Sequence, residues 1–167
     1  MGRVFDINLT GLREPFVVHA DPQEEDLLDL RLRRLLRTWR KKRYALGALP
    51  SRAELDAGVM TDIGANTMEL AAVEGGDFTY TSCGKLLAAA MGTDPVGTRT
   101  SSYPSVIAKA FLSLYNLGLK TRVPYGVRYA PLQPNRVDHW HRLIVPIRSD
   151  SASGSGYLVC GIPFQRS

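Results

Sequence analysis

Three histidines and two cysteines hold most of the chemistry this chain could perform. His139 and His141 are two residues apart, so on a strand both imidazoles leave from one face. Two such imidazoles can begin a metal site, but a third ligand must come from elsewhere, and a groove-lining or surface role is the simpler expectation. No metal site is assigned. His19 stands alone in the first twenty residues. Cys83 and Cys160 occupy apolar, strand-like surroundings, where thiols are usually buried and inert, and no local pattern ties either to a histidine base. Gly154-x-Gly156 lacks the third glycine and following helix of a dinucleotide fingerprint, and no Gly-x-x-x-x-Gly-Lys-Ser/Thr loop is present. The sequence therefore assigns no catalytic residue.

Charge is the second candidate chemistry. The formal net charge is +5, and eight of the 21 Lys and Arg residues lie between Arg31 and Arg43. A block of that density can mark nucleic-acid or membrane contact. Here it follows Glu24, Glu25, Asp26 and Asp29, an order that suits the two ends of a helix dipole. No aromatic side chain interleaves with the arginines as a base-stacking platform, because Trp39 belongs to an apolar stripe. A solvated helix face is the expectation, and nucleic acid is not expected as a partner.

Composition narrows the rest. A chain of 167 residues fits one domain with a terminal extension. With 44% apolar and 22% charged residues it is neither disordered nor fibrous. Two cysteines exclude a disulfide scaffold and a four-cysteine zinc site. No run approaches the roughly 20 apolar residues of a membrane span, and no signal-peptide pattern opens the chain. A cytoplasmic protein is expected.

The elements that must position these residues follow from period and punctuation. Residues 1–20 read as an extended arm with at most a short strand. Asp21, Pro22 and Glu24 then give helix-start signals, and a helix over 21–43 carries Leu28, Leu32, Leu35 and Trp39 on one stripe, with Gly47 to end it. Ser51 and Glu54 repeat the capping-box spacing for a short helix over 51–58. Residues 67–73 and 77–83 alternate as a hairpin around Glu74-Gly75-Gly76. Helices follow over 85–91, closed by Gly92, and over 103–117, closed by Gly118. Three strands follow, near 121–129, 137–147 and 157–164, with a turn framed by Pro131 and Pro134 after the first and a Ser/Gly loop over 149–156 before the last. In the first of them Tyr125, Val127 and Tyr129 share a face that Arg128 does not. In the second, Leu143, Val145 and Ile147 share a face opposite Trp140 and Ile144. The expected class is α+β: a five-stranded antiparallel sheet, helices on one face, and a flanking N-terminal helix.

Two strands, short helices, a connecting helix and a three-stranded meander form the element order of PAS domains. The chain resembles an alphaproteobacterial PAS-like family through Trp39-Arg40, Leu49-Pro50-Ser51-Arg52-Ala53 followed by Leu55-Asp56, Phe78-x-Tyr80 leading to Gly84, and the Gly92 to Gly97 turn. The family has Pro where Ala57 stands here. The resemblance covers roughly residues 25–164 and implies a regulatory sensor or interaction module, alone or ahead of outputs such as diguanylate cyclases and histidine kinases. It divides the chain into an arm and flanking helix, 1–46, and a PAS-like core, 47–167. Gly75-Gly76-Asp77-Phe78 is similar to a diguanylate cyclase signature, but the other nucleotide and metal residues of those enzymes are missing, so a plain turn is expected. Neither the flavin-type cysteine motif nor a histidine on the connecting helix of haem-type members is found, so the cofactor is unknown.

Two function classes follow. The favoured one is a sensory or protein-interaction module without catalysis. The other is a small ligand-handling α+β enzyme with a pocket between sheet and helices. In either, candidate ligand-lining residues are Met91, Ile107, Phe111, Tyr125, Tyr129, Leu143 and Val159. The stripe of Leu28, Leu32, Leu35 and Trp39 is expected outside the core as a homodimer contact, the competing outcome being that it folds back on its own sheet.

Overall fold

The computed structural model describes residues 2–132 and 137–165. Its strands are β1 (Arg3–Ile7), β2 (Phe16–Ala20), β3 (Thr67–Val73), β4 (Asp77–Cys83), β5 (Tyr125–Tyr129), β6 (His139–Arg148) and β7 (Ser155–Phe164). They make one sheet in the order β1-β2-β5-β6-β7-β3-β4, antiparallel at every pairing. The helices are α1 (Leu30–Leu46), α2 (Ala57–Ile63), α3 (Lys85–Met91) and α4 (Val106–Thr121). The α+β class stands, with seven strands in place of five. Pro134, expected in the turn before β6, lies outside the described residues.

The two additional strands come from the arm. β1 and β2 form a hairpin whose second strand pairs with β5, and Phe16 and Val18 of β2 are fully buried in the core. β1 is an edge strand, exposed at alternate and adjacent positions, which leaves no clean period to read.

Alternation along the central strands divides the core between two sides. Trp140 and Ile144 of β6 join Tyr125, Val127 and Tyr129 of β5 under Leu87 of α3 and Phe111, Leu114 and Tyr115 of α4. Leu143, Val145 and Ile147 of β6 join Leu158, Cys160 and Ile162 of β7 under Leu32, Leu35, Leu36 and Trp39 of α1. Helices therefore cover both faces, not one. The cause is in the strands: β6 and β7 are buried at almost every position and carry apolar side chains toward both faces, so the sheet needs cover on both.

That need also decides the stripe of α1. Leu32, Leu35 and Trp39 are at most 2% exposed against the chain's own sheet, and the Trp39 indole donates to the Pro146 carbonyl at 2.7 Å. The expected outward-facing stripe is thus corrected to an inward one, and Leu28, which precedes the helix, is 56% exposed. The division at residues 46 and 47 separates α1 from the surface it covers. The helix also starts later than 21. Asp21 has φ 51, outside the extended region an N-cap uses, so the acidic run makes a 3-10 turn at Glu24–Asp26 instead. Asp29 is the N-cap, accepting from the Arg31 N–H at 2.8 Å, and Gly47 at φ 65 ends the helix as expected.

α4 is corrected at both ends. Ser105, whose hydroxyl accepts from the Ala108 N–H at 3.1 Å, caps its start. Gly118 lies inside the helix and serves packing: a Cβ there would stand 2.5 Å from the Tyr157 hydroxyl, which donates to the Tyr115 carbonyl at 2.6 Å. The hairpin at Gly75 (φ 83) and Gly76 (φ 72) and the stop of α3 at Gly92 (φ 77) agree with the sequence, since left-handed backbone favours glycine.

Replacing a fully buried leucine by alanine costs about 2–5 kcal/mol, and a surface change about 0.5 kcal/mol or less. Urea unfolding of Leu35→Ala is expected to show the first loss and Leu28→Ala the second. Equal effects would contradict the burial of the stripe on its own sheet.

Candidate ligand cavity

A cavity of about 210 Å³ opens between the start of α4 and the sheet. Met91 at the end of α3 and Thr93 and Pro95 in the following loop form one wall. Tyr103, the first turn of α4 (Ser105, Ile107, Ala108) and Phe111 form the roof, while Met68, Tyr80, Tyr129 and Arg142 rise from the sheet. The wall loop is tied to β4 by the Tyr80 N–H on the Thr98 carbonyl (3.0 Å) and the Gly97 N–H on the Tyr80 carbonyl (2.9 Å). It is anchored beyond that by buried Asp77. Burial pushes the Asp77 carboxyl up, but the Ser101 hydroxyl and the Phe78 and Ser101 N–H groups hold it below the usual carboxylate range.

Four of the expected lining residues, Met91, Ile107, Phe111 and Tyr129, come together here. Tyr125 and Val159 are buried on the same side but belong to the packed core, with the Tyr125 hydroxyl on Thr121 Oγ1 at 2.9 Å. Leu143 is corrected: the period of two sends it to the α1 side, away from the cavity.

Of the lining residues not expected from the sequence, Arg142 is the charged one. It sits between Trp140 and Ile144 on β6, and the alternation that turns those two inward turns Arg142 inward as well. It is 7% exposed. Its guanidinium carbon lies 4.8 Å from the Trp140 ring centroid, 5.3 Å from Phe111 and 5.7 Å from Tyr129. Such cation–aromatic contacts are each worth about 0.5–2 kcal/mol. One Nη reaches only the Met91 sulfur, at 3.6 Å, and Nε is buried with no acceptor among the described residues. Burial raises the Tyr129 phenol, which stays protonated although the Arg142 charge opposes the shift.

The histidines lie elsewhere. His139 contacts Glu14 at 2.6 Å and Asp138 at 2.7 Å, and Glu14 in particular raises its pKa. His141, on the same face of β6, packs its ring 4.3 Å from that of Phe164. Burial lowers His141 to about 4, with the Arg128 charge adding to the effect. Burial likewise pushes Cys160 up to about 12 and raises Cys83, so both thiols are held in their unreactive form. Among the described residues no three His, Cys, Asp or Glu side chains are placed to share a metal ion.

The arginine block is largely engaged within the chain. Arg31 bridges to Asp29, Arg34 to Asp62, Arg37 to Glu24 and Arg40 to Asp21. Arg33 and Arg43 donate to the Leu27 and Arg122 carbonyls. No helix among the described residues is long and apolar enough to cross a membrane. No family model, curated protein or solved structure matches the chain.

The two β6 histidines should separate by titration. His141 is neutral in the fold, whereas in the unfolded chain it takes a proton below about pH 6.5; stability therefore falls as pH drops from about 6.5 toward 4. His139 has the opposite sign: its contribution is full below about pH 6.5 and fades as pH rises through its raised folded value. Proton NMR of the ring Cε1–H signals should show His141 titrating near 4 and His139 above the ordinary histidine range. An ordinary midpoint for His141 would contradict its burial.

Proposed function

We propose that the chain is a non-catalytic sensory or regulatory module of the PAS type, which reads a small molecule in the cavity beneath α4. The observation that carries this reading is the cavity's lining. It is mainly apolar and aromatic, with a few hydroxyls and one charged group, the usual make-up of a ligand site. None of its lining residues is a His, Cys, Asp or Glu, so it offers no base of ordinary strength and no nucleophile–base pair. Binding suits it better than turnover. The order β3, β4, α3, α4, then the β5–β6–β7 meander supports the PAS comparison. In this reading α3 and the loop after it are the signalling surface, because Met91 and Thr93 line the cavity and are also partly or fully exposed.

Native mass spectrometry of the purified chain, before and after gentle denaturation, tests the reading. A released small molecule is expected. Ala108→Phe, which fills the cavity from its roof, should abolish retention while the cooperative unfolding transition remains. Retention unchanged in Ala108→Phe, or no retained molecule together with no stabilising compound in a metabolite panel, would contradict it.

A further inference from the structure

The charged group in the cavity lacks a counter-ion among the described residues. Ten ion pairs join charged side chains among the described residues, and Arg142 takes part in none of them. Its neighbours are three aromatic rings and a thioether, which is a weak acceptor. Arginine keeps its charge in proteins, and a desolvated cation is costly unless an anion or several acceptors complete its shell. The rings attract the cation and the Tyr129 hydroxyl interacts with it, but Nε is buried with no acceptor among the described residues. The hydrogen-bonding shell is incomplete, and the residue that carries it lines the cavity.

We propose that the cavity binds a monocarboxylate with an apolar or aromatic body, its carboxylate held by Arg142. This rests on the ligand-reading function above and names its ligand class. A planar carboxylate matches the guanidinium fork with two parallel hydrogen bonds. The rest of the lining has the same polarity. Ser105 accepts the Ala108 N–H with its oxygen, which leaves its hydroxyl proton for a ligand, and the first turn of α4 brings the positive end of a 16-residue helix to the cavity roof. Among the described residues Arg142 is the one basic side chain that lines the space, which matches a single negative charge. Size sets the body: a cavity of about 150 Å³ holds benzene, and this one has about 210 Å³. Met91, Ile107 and Phe111 surround that part.

Calorimetric titration of the full chain with benzoate, phenylacetate and 3-phenylpropionate, each beside its primary amide, tests the proposal. The best-fitting acid should bind at least tenfold more tightly than its amide, and Arg142→Gln should erase the difference while the amide still binds. The Arg142 Nε–H resonance of the native chain should move on adding the acid and stay in place with the amide, a readout that needs no variant to fold. Equal binding of acid and amide overturns the carboxylate assignment and leaves the ligand-reading function standing. Binding of neither class overturns the assignment, and the mass-spectrometric measurement then decides the wider reading separately.

Discussion

The structure depends on β6 being buried on both of its faces. Its ten residues pair with all ten of β7, and the period of two hands successive side chains to opposite layers. Leu143, Val145 and Ile147 require α1, while Trp140, Arg142 and Ile144 require α3, α4 and the rings of β5. One strand thus serves a closed structural face and a face that holds a cavity. The position of α1 follows from this constraint, because without it a continuous apolar surface of β6 and β7 would meet water, at roughly 25 cal/mol for each Å² exposed.

The division of labour explains where charge resides. On the α1 side, arginines lie at the helix margin and meet Asp21, Glu24, Asp29 and Asp62, partly exposed pairs of the kind that add little stability but neutralise the block. On the α4 side a single arginine is taken out of water among aromatic rings. Most of the basic block is thus tied to its own chain.

Much of this was legible in the sequence. The β3–β4 hairpin, α3 with its glycine stop, and the end of α1 at Gly47 are set by local chemistry, left-handed turns and caps, which neighbouring residues suffice to specify. What was misread depended on distant partners. Asp21, Pro22 and Glu24 look like a helix start, yet Asp21 takes φ 51 and donates its N–H to the Pro124 carbonyl. Gly118 looks like a stop until the Tyr157 hydroxyl is placed beside it. The arm becomes strands only because β5 offers an edge to pair with. Of the cavity, Met91, Ile107, Phe111 and Tyr129 could be anticipated from their apolar character, whereas Arg142 was overlooked although its place between Trp140 and Ile144 already put it on their face.

α1 supplies one of the two core layers and is not a separable flanking helix. Deleting residues 1–46 tests it most directly, because the same cut removes α1, β1 and β2 and bares Leu143, Val145, Ile147, Leu158, Cys160 and Ile162. The remaining chain is expected to lose its near-ultraviolet circular dichroism, to bind a hydrophobic dye and to unfold without a cooperative transition in urea. A truncated chain that stays monomeric and unfolds cooperatively, with native near-ultraviolet dichroism, would contradict the account.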